Sequence, residues 1–331
     1  MMKNLLAGFV IFHVIVCSAG CDASKRAGGP ASAAIDTVTA NTGIDTVTSS
    51  KSSSVKIEPR GTSDFDKQAH RGGRGLMPEN TIRAMINAIN LDVTTLEMDA
   101  VITSDRKVIL SHDQYFNSET TTPEDGSIIT KQNQDSFSIY KMTYEKTKTF
   151  DVGLKPYPAF PKQVKVKAIK PLLSDVIDSV EAYTAAKNKK PVFYNIETKS
   201  RPSGDNKLHP APEEYVELIM GVINQKQIRP RTIIQSFDFR TLQVMHKKYA
   251  DVALAALIEN TRSLDDNIKD LGFTPTIYSP HFRLVTKELV EQCHRLNMKI
   301  IPWTVNDKEK INSLKEWGVD GIISDYPDLF N

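Results

Sequence analysis

From Asp64 onward, short β-branched runs alternate with amphipathic helical patterns, and this rhythm narrows the possible folds more than any other feature. Strands are predicted over 68–71, 95–102, 108–112, 192–199, 232–237, 253–259, 276–279, 299–304 and 321–324. Helices are predicted near 80–90, 173–186, 212–226, 239–249, 262–271, 286–297 and 307–317. Repeated strand–helix units predict a parallel sheet with helices packed outside it. The 108–112 run pairs best as a hairpin with the strand before it, which leaves about eight units. Eight units predict an α/β fold, a (β/α)8 TIM barrel over 64–331 with an insertion after the second strand. An open doubly wound sheet would share the rhythm, but no G-x-G-x-x-G and no P-loop follows the first strand.

The insertion, 114–170, breaks the pattern. It holds a turn signal at Pro123-Glu124-Asp125-Gly126 and a proline-rich part with Pro156, Pro158 and Pro161. A connection of this length in a compact domain is usually a lid or a small subdomain. Its position after His112 predicts a cover over one mouth of the barrel. Between residues 141 and 170 it carries eight lysines against Glu145 and Asp151 alone. Such a segment beside the mouth would attract anionic substrate or anionic headgroups, or simply form a solvated basic loop.

The first 63 residues read differently. One cation, Lys3, precedes an apolar run over 5–16, and Ser18-Ala19-Gly20-Cys21 follows. This is the layout of a secretory signal over 1–20, and the run is short for a bilayer span of about 20 residues. Cys21 after Ala19-Gly20 resembles a bacterial lipobox, although Ser18 stands where leucine is usual. The expectation is an exported protein tethered to a membrane through acylated Cys21, with free secretion or a retained anchor as the alternatives. Residues 21–63, rich in Ser, Thr, Ala and Gly, are expected to be a flexible tether. About 40 such residues span on the order of 35 Å. With Cys21 acylated, Cys293 would be the last thiol and no intramolecular disulfide could form. The 42 basic and 40 acidic residues give a net charge of +2, which predicts no nucleic-acid binding.

Barrel enzymes carry reactive groups at the C-terminal ends of strands. Here those ends read Ala69-His70-Arg71-Gly72-Gly73, Leu96-Glu97-Met98-Asp99, Ser111-His112-Asp113, Asn195-Ile196-Glu197-Thr198-Lys199 and Pro302-Trp303-Thr304-Val305-Asn306. Side chains alternate along a strand, so Glu97 and Asp99 share one face, as do Asn195, Glu197 and Lys199. Three carboxylates and a lysine would then aim into one mouth. Clustered carboxylates repel one another unless protonated or bound to a cation, and an all-oxygen set suits one hard divalent ion, Ca²⁺ or Mg²⁺. His70 and His112 would face each other across the cavity as an acid/base pair near neutral pH. Arg71 can bind an oxyanion through two hydrogen bonds, and Lys199 adds a point charge. The residues themselves lead to metal-dependent phosphoester chemistry without specifying the alcohol groups. Before the first predicted helix, Asn80 or Thr81 would serve as an N-cap, and Glu79 could orient Arg71.

The motifs in order, His70-Arg71-Gly72, Pro78-Glu79-Asn80-Thr81, Glu97-x-Asp99, His112-Asp113 and Glu197-x-Lys199, resemble the glycerophosphodiester phosphodiesterase family. The resemblance runs from about Gln68 to Pro327. It implies a TIM barrel that hydrolyses glycerophosphodiesters to an alcohol and glycerol 3-phosphate. It further implies metal ligation by Glu97, Asp99 and Glu197, acid/base roles for His70 and His112, phosphate contacts from Arg71 and Lys199, and a glycerol wall at Trp303. Two alternatives stay open: a phosphodiesterase of the same barrel acting on intact phospholipid, and a tethered barrel that only binds.

Overall fold

The computed structural model describes residues 65–331. The expected leader, 1–20, and tether, 21–63, lie outside the described residues. In chain order the elements are β1 (Asp66–Ala69), α1 (Ile82–Asn90), β2 (Thr95–Ile102), β3 (Val108–Leu110), β4 (Thr122–Pro123), α2 (Tyr144–Thr147), β5 (Phe150–Asp151), α3 (Leu173–Ala186), β6 (Phe193–Thr198) and α4 (Pro212–Gln225). Then follow β7 (Thr232–Ser236), α5 (Phe239–Lys248), β8 (Ala253–Ile258), α6 (Leu264–Leu271), β9 (Ile277–Pro280), α7 (Lys287–Arg295), β10 (Lys299–Ile300), α8 (Lys308–Glu316) and β11 (Gly321–Ser324).

Eight of the strands are parallel neighbours in the order β10-β9-β8-β7-β6-β2-β1-β11, with β3 antiparallel on β2. Beyond β10 the chain continues along β11. Backbone N–H groups of Asp320, Ile323 and Val305 donate to the carbonyls of Ile300, Pro302 and Ile323, which nearly closes the barrel. The expected α/β barrel with an insertion after its second strand is therefore the observed fold.

Strand period sorts the side chains. All eight residues of β2 are buried, as both faces of a parallel barrel strand must be. Leu96, Met98 and Ala100 pack outward with Tyr194, Ile196, Ile234 and the helices. The barrel interior holds a separate apolar layer of Ile233, Ala255, Ile277, Ile301 and Ile323. Helix α1 shows why the outer ring forms: Ala84, Met85, Ala88 and Ile89 make a buried stripe at helical spacing. Thr81 caps it, its Oγ1 accepting the Ala84 N–H at 3.2 Å; such a cap contributes about 1 kcal/mol.

The insertion folds as a small subdomain. β4 and β5 pair antiparallel, and Phe116 stacks on Phe150 at 4.1 Å between ring centroids. Ile129 and Ile139 join them on Val101 and Ile109 of the β2–β3 hairpin. Its later part lies against the loop after β1. Gln163 Nε2 donates to the Arg74 carbonyl at 2.8 Å, and the Val164 N–H donates to that of Leu76. One of the eight lysines between 141 and 170 departs from the solvated reading. Lys170 is buried, with Nζ 2.8 Å from Ser111 Oγ and over the Phe116 ring, and burial pulls its pKa below the usual value.

Candidate active site

Register brings the carboxylates together. In the β2–β6 pairing, Glu97 lies opposite Asn195 and Asp99 opposite Glu197. Because both strands alternate in step, these four side chains and Lys199 point inward, as the sequence predicts. Glu97, Asp99 and Glu197 are all buried, and one carboxylate oxygen from each lies within 4.8 Å of the others. Beneath them Asn195 Nδ2 donates to Gln68 Oε1 and Gln235 Oε1, while Gln235 Nε2 donates to Glu97 Oε1 at 2.8 Å. This amide network holds the acidic cluster from below.

Basic groups reach the cluster from two sides. Lys199 Nζ donates to Glu197 Oε1 at 2.7 Å and lies 3.7 Å from Asp99 Oδ1. Arg71 does not sit on a strand, as expected, but in a short 3₁₀ turn over His70–Gly72, with φ at 51°. That left-handed turn aims its backbone N–H at Glu97 Oε2, 2.6 Å away, and its guanidinium at Glu79 and Asp99. The Glu79–Arg71 pair anticipated from sequence thus exists, at 3.0 Å. Asn80 is not the helix cap. Its Nδ2 donates to Asp99 Oδ2 at 2.8 Å and its Oδ1 accepts the Asp99 N–H. Thr81 does the capping, and Asn80, in the left-handed region at φ 56°, is free to turn toward the site.

Both histidines are braced by carboxylates. His70 Nδ1 lies 2.5 Å from Asp325 Oδ1, and His112 Nδ1 lies 2.9 Å from Asp113 Oδ1. With Nδ1 engaged, the Nε2 atom of each ring is left for a ligand. Asp325 also takes Arg74 Nε and Asn306 Nδ2, and Asp113 takes Asn117 Nδ2. Burial lowers the His70 pKa to about 4, aided by Arg71 and Arg74 and opposed by Asp325, so the ring is neutral at pH 7.

The two histidines, Arg71, Arg74, Glu97, Glu197, Lys199 and Gln235 line one cleft of about 130 Å³. Phe237, Leu257, Trp303 and Ile323 form its other wall. Trp303 is held by its Nε1–H on the Ser279 carbonyl at 2.8 Å and by an edge contact with Phe237. Sequence reading missed Arg74, Gln235 and Phe237 as cleft residues. It also gave Asp325 no role, because nothing local signals a pairing across 255 positions.

The donor set fits a cation. Burial and the neighbouring carboxylates push the Glu97 pKa well above the usual value, and burial also raises that of Glu197, against Lys199. Asp99 goes the other way, because Arg71 and Lys199 outweigh its burial. Two basic side chains therefore do not balance three buried carboxylates. In addition, Asp99 Oδ1 is buried without a hydrogen-bond partner, and native interiors rarely leave such an atom unsatisfied. A hard divalent ion accepts this kind of oxygen set.

Known proteins place the chain. The family model described as the glycerophosphoryl diester phosphodiesterase family matches residues 70–329. A glycerophosphodiester phosphodiesterase of Bacillus altitudinis is 30% identical over 264 residues, covering 78% of this chain and 94% of that protein. One from Bacillus subtilis is 27% identical over 275 residues, covering 80% and 84%. An Oleispira antarctica phosphodiesterase, solved with its product sn-glycerol-3-phosphate, superposes with a TM-score of 0.62 at 22% identity, covering 80% of this chain and 94% of that one. The barrel, the ordered motifs and these matches agree: the chain belongs to the glycerophosphoryl diester phosphodiesterase family of TIM-barrel hydrolases.

Proposed function

We propose that the protein hydrolyses glycerophosphodiesters to an alcohol and glycerol 3-phosphate with the help of one divalent ion, Ca²⁺ or Mg²⁺. The observation that carries this reading is the single cleft in which Glu97 and Glu197 of the acidic triad, two braced histidines and the cations Arg71, Arg74 and Lys199 meet an apolar wall. Glu97, Asp99 and Glu197 would hold the ion. Bound there, it would supply Lewis-acid polarisation of a phosphate oxygen.

The remaining chemistry belongs to the chain. Arg71 and Lys199 bind the phosphate oxygens and stabilise the charge that builds on them during in-line displacement. One histidine takes the proton of the attacking hydroxyl, which belongs either to water or to the glycerol group itself; in the second case a cyclic phosphate forms, and water then opens it to glycerol 3-phosphate. The other gives a proton to the leaving alcohol. Asp325 and Asp113 hold the rings in the tautomer that exposes Nε2. Trp303 packs against the glycerol carbons and limits water on that side. The test is release of glycerol 3-phosphate from a panel of glycerophosphodiesters, with and without chelator. Intact phospholipid in the same panel separates this reading from a phospholipase activity. Turnover of no diester with either ion would leave a binding barrel.

We also propose that Cys21 carries an acyl anchor and that the barrel works outside the cytoplasm on a membrane surface. The support is the Ser18-Ala19-Gly20-Cys21 junction and the polar stretch after it. Cys21→Ser should move the protein from the membrane fraction to the soluble one with unchanged specific activity. A variant that stayed in the membrane fraction would place the anchor elsewhere.

A further inference from the structure

Among the described residues, the prominently exposed large apolar side chains are Ile128, Leu154, Val164, Phe237 and Leu296. Three of the five lie in the insertion. Scattered single apolar residues on a surface carry no message, but Leu154 and Val164 are not scattered. The Val152 N–H donates to the Ala168 carbonyl and the Val166 N–H to that of Gly153. These bonds lay 152–154 alongside 166–168, so Leu154 and Val164 stand on one ribbon, about half exposed at 51% and 55%. Exposed Lys162, Lys165 and Lys167 flank them on the same ribbon.

The other side of this segment is anchored. The Phe160 ring packs against Tyr326 and carries the Arg74 guanidinium 4.8 Å over its face. Gln163 holds the Arg74 backbone, and Arg74 lines the catalytic cleft. The ribbon is thus fixed inward, beside the mouth; outward, Leu154 and Val164 are exposed, and Lys167 lies 3.6 Å from the exposed Glu124 carboxylate. Apolar side chains ringed by lysines are the composition that seats on an anionic bilayer surface. A protein partner would need neither the lysine excess nor so narrow an apolar strip.

We infer that the 152–168 ribbon docks on an anionic lipid surface, with Leu154 and Val164 entering the headgroup layer and Lys162, Lys165 and Lys167 meeting the lipid charges, so that the cleft opens next to the bilayer. This docking requires neither the Cys21 anchor nor the proposed chemistry. Vesicle binding tests it independently of activity. In the full chain bearing Cys21→Ser, titration with phosphatidylcholine vesicles, with and without phosphatidylglycerol, should show binding that needs the anionic lipid and weakens with salt. Lys162→Gln/Lys165→Gln/Lys167→Gln should weaken it roughly a hundredfold, near fivefold per lysine. Leu154→Ser/Val164→Ser should weaken it at least about tenfold. Both variants alter exposed side chains and should keep the parental Tm and the kcat for a soluble diester. Absence of parental binding to either vesicle, or parental affinity in either variant, would overturn the inference.

Discussion

The barrel interior is built in two unlike halves. From β1, β2, β6 and β7 it receives Gln68, Glu97, Asp99, Asn195, Glu197 and Gln235, joined by hydrogen bonds and ion pairs. From β7 to β11 it receives Ile233, Ala255, Ile277, Ile301 and Ile323 in one apolar layer. The backbone ladder is the same on both sides, so the fold does not demand the polar half. Burying charge is costly, and replacing buried ionic groups by packed apolar ones is often neutral or stabilising. The polar half is thus kept for chemistry, and the apolar half keeps the barrel full.

Substitutions on each side should separate activity from stability. The largest effect is expected at the triad. Glu97→Gln, Asp99→Asn and Glu197→Gln should each abolish activity and the heat of divalent-ion binding by calorimetry, with the fold intact by circular dichroism. A variant still active and still chelator-sensitive would take its residue out of the ion site. Next, His70→Ala and His112→Ala should each lower kcat by at least about 100-fold with little change in Tm. Near-normal turnover with early melting would make that histidine a packing residue. In the apolar half, Ile301→Ala should do the reverse: a loss of about 2–5 kcal/mol in denaturant unfolding, with kcat nearly unchanged at low temperature. An Ile301→Ala protein that lost kcat before stability would merge the two halves.

The smallest effect concerns the seam where β11 meets β1. Asp325 is buried, which by itself raises its pKa, but His70 and Arg74 outweigh that and hold it below the usual carboxylate range. A carboxyl lowered by folding contributes stability above its unfolded pKa of about 3.9. That contribution is lost as pH falls through the folded value. The unfolding free energy should therefore decline below about pH 4, and Asp325→Asn should flatten that decline. An identical acid limb in the variant would show that the contacts of Asp325 with His70 and Arg74 add no ionic stabilisation.

What could be read without coordinates was governed by short-range periodicity. Period two on β2 and β6 placed Glu97 with Asp99 and Glu197 with Lys199, and the alternation of strands and helices implied the barrel. The same reasoning did not reach the turn after β1. There Arg71 leaves the strand for a left-handed conformation that lets its N–H meet Glu97. Nor did it distinguish Asn80 from Thr81: either side chain can cap a helix, and only the approach of β2 gives Asn80 the Asp99 carboxylate to bind. Lys170 looked like one more solvated lysine until the insertion folded over Phe116 and Ser111. Asp325 is the plainest case. Its partnership with His70 exists because the last strand returns beside the first, and ring closure is a property of all eight strands together, invisible in any window of neighbouring residues. Local pattern thus determined which side chains face inward. Tertiary closure decided which of them touch, because contacts between residues far apart in the chain are set by strand order and register.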